Sequence, residues 1–191
     1  STVAGIRAAG GEATAVAADI SAEPECLKLA EAARSAYGRI DTLVNNAALN
    51  YYIPTVDYPT NRWVKSFAVN VHAPFILAKL VLPNMIALGR GAIVNISSGA
   101  AIGPGRGPYS DHTVRGGVMY GATKAFLVAF SQNLAYELAG TGVGVHALCP
   151  GLVLTELHDV IGVDRSFAPK FMWMKAPDVV RTSLRALRRG R

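Results

Sequence analysis

Cysteine is scarce in this chain, and so is every pattern that depends on it. Cys26 and Cys149 are the two among 191 residues, far apart and without CxxC spacing or a third ligand-type neighbour. That excludes a disulfide framework and gives no zinc site. Each is expected as a small buried or half-buried side chain. Glycine and proline are modest at 19 and 10, and 51% of the residues are hydrophobic, which excludes collagen-like and disordered classes. The longest apolar runs are interrupted by Lys79, by Lys124, or by the glycines of 140–144 and Pro150. No stretch is therefore expected to cross a membrane. With no metal site and no membrane partner in view, a cytoplasmic location is the default expectation.

Acidic residues are missing from one place. The formal charge of +6 suggests a nucleic-acid partner, yet residues 181–191 hold Arg181, Arg185, Arg188, Arg189 and Arg191 with no acid among them. Without those five the chain holds 14 basic against 13 acidic residues. The basicity belongs to a tail. Arg181, Arg185 and Arg189 are expected on one face of a helix, with Val180, Leu184 and Leu187 on the other. Cations are favoured near a helix C-terminus, so nucleic-acid binding is not expected.

What the chain does have is alternation. A helix is expected to end at residue 9, stopped by Gly10-Gly11, because glycine takes the left-handed conformation past a helix end without steric cost. A short strand is expected over 12–19, then a helix capped by Ser21 and running to Tyr37, with Pro24 tolerated in its first turn. A buried strand follows over 41–45. Thr60 caps a helical stretch to about Leu88, bent near Pro74 and Pro83. Residues 91–97 read as the next buried strand, 99–117 as a Gly/Pro-rich loop, and 119–138 as a helix. A strand over 145–148 and a helix over 177–189 complete the pass. Short apolar strands alternating with helices point to βαβ units and a parallel sheet covered on both faces. The whole chain, 1–191, reads as one domain.

Ligands of open parallel sheets bind at the carboxyl ends of the strands. Here those ends carry Asp19, then Asn45-Asn46-Ala47-Ala48, then Ser97-Ser98-Gly99, then Pro150-Gly151. One such ending is ordinary turn chemistry, whereas four in a row describe a lined crevice. The next helix carries Tyr120 and Lys124, which share a face at i and i+4. A free tyrosine has a pKa of about 10, and a neighbouring cation favours its phenolate. With the Ser98 hydroxyl at the preceding strand end, these side chains form a unit able to donate or remove a proton at an alcohol or ketone oxygen. Chance spacing supplies about 0.2 Tyr–Lys pairs of this kind, so the placement after a Ser-ending strand is what gives the pair weight.

Taken in order, Asn45-Asn46-Ala47, Asn70, Ser97-Ser98, Tyr120-x-x-x-Lys124 and Pro150-Gly151-x-x-x-Thr155 closely resemble the short-chain dehydrogenase/reductase family, over nearly the whole chain. The resemblance implies a Rossmann-like doubly wound parallel sheet in three α/β/α layers, and an NAD(P)-dependent oxidoreductase interconverting an alcohol and a ketone or aldehyde. It gives Tyr120 the proton transfer, and gives Lys124 the lowering of the phenol's pKa and the hold on the nicotinamide ribose. Ser98 would hold the substrate oxygen. Asn70 would shape a bend in its helix and support a water-mediated proton relay. Asn45 would steady the central strands and, with Ala47, line the cofactor site. Asp19 and Ile20 would meet the adenine. Pro150 and Gly151 belong to the cofactor site, and Thr155 would meet the nicotinamide carboxamide. A homodimer or homotetramer follows from the resemblance alone, through the helices over 63–88 and after Tyr120. The substrate-side segment 167–174, with Phe167, Phe171, Met172, Trp173 and Met174 and with Tyr51 and Tyr52 across the site, suggests a bulky apolar substrate.

The chain departs from the family's pattern in several ways. The family's Gly-rich phosphate turn, and the strand end that selects NAD or NADP, would precede residue 1, and a last strand would follow residue 191. Position 1 is Ser. The chain therefore reads as an internal fragment with a gap in its sheet between residues 12–19 and 41–45, and cofactor preference is not legible. Gly99-x-x-x-Gly103-x-Gly105 has phosphate-turn spacing, but Pro104 lacks an N–H, and Arg106-Gly107-Pro108 follows where a helix should open. Ala48 stands where the family has Gly, and the segment between Ser98 and Tyr120 is long. Tyr109 lies nearer but has Thr113, not lysine, four residues on. Asp111, His112 and Arg115 are expected to border the substrate pocket. The alternative function is a catalytically inactive chain acting only as an interaction module.

Overall fold

The computed structural model describes residues 2–102, 117–156, 166 and 168–188. Gly103, Pro104, Gly105, Tyr109, Asp111, His112, Arg115, Phe167, Arg189 and Arg191 lie outside the described residues. Helix α1 is Thr2–Ala8, α2 Glu23–Tyr37, α3 Thr60–Phe67, α4 Ala73–Ala87, α5 Val118–Glu137 and α6 Ala176–Arg188. Strands β1 (Thr42–Asn45), β2 (Gly91–Ile96) and β3 (Val143–Leu148) form a parallel sheet in the order β1-β2-β3. Thr42 pairs with Ala92, and Gly91 with Val143, so the three carboxyl ends finish level. A short parallel pair, β4 (Val153–Leu154) and β5 (Met174–Lys175), sits beyond β3. Parallel strands flanked by helices make this an α/β, Rossmann-like fold.

The core explains the connections. Ala78, Val81 and Met85 of α4 pack with Ile93 of β2, Leu134 and Leu138 at the end of α5, and Val143 of β3. A second cluster joins Cys26 of α2 to Ala73 and Leu77 of α4. Cys26 is fully buried, its thiol pushed up in pKa by that burial. Two positions leave no room for a side chain. A Cβ on Gly91 would sit 2.6 Å from the Met85 side chain. Gly142 has φ +80°, and a Cβ there would lie 1.9 Å from the Gly89 carbonyl oxygen.

Several expectations need correction, the helix caps first: Ala22 and Pro59, not Ser21 and Thr60, stand at the N-caps, and neither makes a side-chain capping hydrogen bond. Residues 12–19 form no strand: they run exposed or half-exposed without a ladder partner among the described residues. A strand needs a neighbour, and among the described residues β1 pairs on one side alone, with β2. The helical stretch from Thr60 breaks its regular pattern not at Pro83, which sits inside α4, but in a π turn at Ala68–His72. Pro74 lacks the N–H that would bond back to the Asn70 carbonyl, so the turn widens just before it. The run Thr60–Ala87 is long and apolar enough to cross a bilayer by composition, with half of its most apolar window buried in the fold. Finally, Val180 and Leu184 do not share a covered face with Leu187: they are 54% and 50% exposed. The inward stripe of α6 is Val179, Ser183 and Leu187, spaced by four.

The Gly142 turn yields a prediction. Gly142→Ala must relieve both a left-handed φ and a backbone clash, and is expected to destabilise the fold by at least about 3 kcal/mol. Chemical denaturation compared with Gly140→Ala, whose φ is also positive but whose Cβ meets open space, separates the two effects.

Candidate active site

The site lies at the carboxyl ends of β1, β2 and β3 and is assembled by α5. Ser98 follows β2, and its hydroxyl accepts a hydrogen bond from the Ala100 N–H at 3.2 Å within the turn Gly99–Ile102. The Ser98 side chain also acts on the Tyr120 phenol, favouring its ionised form. The Lys124 ammonium nitrogen sits 5.5 Å from the centre of the Tyr120 ring. One turn of α5 thus brings together the three side chains that the sequence singled out.

Burial sets the electrostatics. Tyr120 is half-buried, and desolvation holds its phenol above the ordinary pKa of 10.0. The Ser98 hydrogen bond pulls the other way, and the nearby phenol of Tyr52 adds to the rise. Lys124 is 2% exposed, and its burial lowers its pKa from 10.5 to about 8. The Lys124 amine donates to the Ile96 carbonyl at 2.5 Å. The i, i+4 spacing places a lysine near a tyrosine, but a four-carbon stem decides where the charge ends.

Asn70 occupies the π turn, 1% exposed, with every polar group engaged. Its amide oxygen accepts from the Leu49 N–H at 2.8 Å. Its amide nitrogen donates to the Leu49 carbonyl at 2.8 Å and to the Thr123 hydroxyl at 3.0 Å. Asn45 is buried and donates to Asn95 across the strands at 2.8 Å, and Asn95 donates in turn to Ser131 of α5 at 2.8 Å. Asn45 does not line the depression that Asp19, Ile20 and Ala47 share. That depression, about 680 Å³, is walled by Ala17, Ala18, Ala48, Leu49 and Val69. The Asp19 carboxylate accepts from the Ser21 N–H at 3.1 Å, and its pKa is lowered by Ser21 first and Lys65 less. Pro150 and Gly151 close the far side: the Gly99 N–H donates to the Pro150 carbonyl at 2.8 Å. Thr155 follows β4 and is exposed.

Several site residues were not anticipated. Lys65 reaches the same depression, 3.7 Å from Asp19. No motif marks it, although it lies five residues before Asn70. Ser97, quoted beside Ser98, points its hydroxyl to the Lys124 carbonyl at 2.7 Å, and Thr123 bridges Asn70 to the Tyr120 carbonyl. Beyond β3, Leu154, Ala168, Pro169 and Trp173, with Ser166 and Lys170, line a mainly apolar cavity of about 590 Å³.

Comparison with known proteins agrees with this fold. The family model described as short chain dehydrogenase matches residues 1–165. A short chain dehydrogenase of Pseudocercospora fijiensis is 38% identical over 154 residues, covering 80% of this chain and 47% of the relative. The chain spans about half the length of the curated relatives it matches. Among solved structures, a short-chain dehydrogenase from Sphingobium yanoikuyae in complex with NADPH superposes with a TM-score of 0.81 at 29% identity, covering 98% of this chain and 69% of that one. The bulky-bulky ketone specific alcohol dehydrogenase from Comamonas testosteroni gives 0.74 at 25% identity, covering 95% and 64%. With its parallel sheet, its Ser98–Tyr120–Lys124 cluster and a family model matched over most of its length, the chain belongs to the short-chain dehydrogenase family.

Proposed function

We propose that this chain carries the proton-transfer and substrate-binding part of an NAD(P)-dependent oxidoreductase that interconverts an alcohol and a ketone or aldehyde. The observation that carries the reading is the gathering of Ser98, Tyr120 and Lys124 at the sheet's carboxyl edge, with the Lys124 nitrogen 5.5 Å from the centre of the Tyr120 ring. In the reducing direction a carbonyl oxygen between Ser98 and Tyr120 accepts the phenolic proton as its carbon gains a hydride. The reverse takes the proton off an alcohol. Burial keeps the phenol protonated through neutrality, which suits a proton donor. Lys124, its nitrogen 5.5 Å from the ring centre, favours the phenolate that the transfer leaves behind.

The residues present fit the cofactor at its adenine end. An apolar slot between Ile20, Ala47 and Leu49, with an ionised Asp19 at its rim, suits a flat heterocycle bearing an amine. Pro150, Gly151 and Thr155 would border the nicotinamide, which when bound supplies or takes up the hydride. A second reading is a chain that serves as an interaction module, with the half-exposed Phe75 ring beside Phe130 on its surface. Equilibrium titration with NADH and NADPH separates them: saturable binding supports the first, and none supports the second.

The apolar cavity beside Trp173 supports a bulky apolar carbonyl substrate, as does the likeness to an alcohol dehydrogenase described as bulky-bulky ketone specific. The stacked rings of Phe126 and Phe130, with Phe75 edge-on and 51% exposed, support self-association through α4 and α5 as a dimer or tetramer.

Tyr120→Phe, in the protein carrying this chain, is expected to lower ketone reduction by about 10²- to 10⁴-fold. Turnover at the parent rate would show that the proton comes from elsewhere. A second prediction concerns stability. The folded chain holds the Lys124 proton less tightly than the unfolded chain, so burial of the cation costs stability in full below about pH 8. That cost fades as pH rises toward 10.5, because there the unfolded chain alone still binds the proton. Lys124→Met is expected to stabilise by about 1–2 kcal/mol at pH 6, with the advantage gone near the upper end of that window. Thermal unfolding across pH reads it directly.

A further inference from the structure

We propose that Thr123 is a positioning residue, whose hydroxyl ties the turn carrying Tyr120 to the loop after β1 by way of Asn70. The inference rests on the functional reading above for its catalytic consequence, and on geometry alone for the tie itself. Thr123 is 0% exposed. Its hydroxyl donates back along α5 to the Tyr120 carbonyl at 2.9 Å, which fixes the rotamer and leaves a lone pair for Asn70. The Asn70 amide then spends its second hydrogen on Leu49, and its oxygen holds the Leu49 N–H. Three segments distant in sequence meet in one closed set of four hydrogen bonds.

Burial makes the set cooperative. No water can replace the Thr123 hydroxyl at a fully covered position, so its removal leaves an Asn70 N–H unsatisfied. Asn70 then has reason to turn, and turning releases both bonds to Leu49. The loop so released carries Ala47, Ala48 and Leu49, which wall the adenine slot. Thr123 therefore links the geometry of the cofactor side to that of the proton donor. It is fully buried and lines neither of the cavities described above.

The test compares Thr123→Val, which keeps the shape and loses the hydroxyl, with Thr123→Ser, which keeps the hydroxyl. Amide hydrogen exchange at Leu49 is expected to accelerate about tenfold or more in the valine variant and to stay within about twofold in the serine variant. In steady-state reduction of an apolar ketone, kcat is expected to fall about tenfold in the valine variant with KM within about twofold, and the serine variant restores it. Unchanged exchange at Leu49 in Thr123→Val, or a serine variant as impaired as the valine one, overturns the tie. Faster exchange with kcat unaltered overturns the positioning role. If the parent protein reduces no ketone, the functional reading fails, and the exchange measurement still decides the tie. Should the valine variant not fold, Thr123→Cys, a poor acceptor of nearly serine size, is expected to exchange faster at Leu49 than Thr123→Ser; equal rates would overturn the tie.

Discussion

Everything in the site depends on how α5 is fastened to the sheet, and the fastening is polar. Three buried hydroxyls hold it: Thr123 to Asn70, Ser97 to the Lys124 carbonyl, and Ser131 to Asn95, which also reaches Asn45. Apolar packing at the end of the helix, through Leu134 and Leu138, supplies adhesion without direction. Hydrogen bonds at buried positions supply direction, since a small rotation of the helix would leave several groups unpaired at once. Tyr120 and Lys124 are located by that constraint more than by their own contacts.

The same burial governs the chemistry. It raises the phenol and lowers the amine, so both groups move toward their neutral forms. A site lined this way holds a proton on the tyrosine and keeps a second one available at a pKa of about 8. Ser98 acts against the trend on Tyr120, because its hydrogen bond favours the phenolate. The three residues therefore set desolvation against hydrogen bonding, with the Lys124 nitrogen held 5.5 Å from the centre of the Tyr120 ring.

Much of this was legible in the sequence. The three paired strands, α2, α5 and the grouping of Ser98, Tyr120 and Lys124 follow from short apolar runs and strand-end chemistry that are local properties. The strand over 12–19 was not legible, because pairing depends on a neighbour and not on its own alternating pattern. The face of α6 misled because its inward stripe includes Ser183, a small hydroxyl that a hydrophobicity pattern assigns to solvent. Lys65 and the direction of the Lys124 amine escaped for a shared reason: a long flexible stem leaves the charge's position to tertiary contacts. Thr123 sits inside the spacing that marks the tyrosine, yet nothing in that spacing says that its hydroxyl faces Asn70.

The π turn at Ala68–His72 has a consequence for how this chain can change. A single wide turn holds one residue more than an α-helical turn, and so rotates everything before it by about 100° relative to everything after. Upstream of it, Trp63 and Val64 look outward; within it, Asn70 looks in; downstream, Ala73 and Leu77 meet the core. Removing one residue there would let the backbone close into a more regular helix, while turning α3 to present the wrong side. Local order and correct assembly are opposed at that point, and the shorter chain would own the better helix and the worse protein.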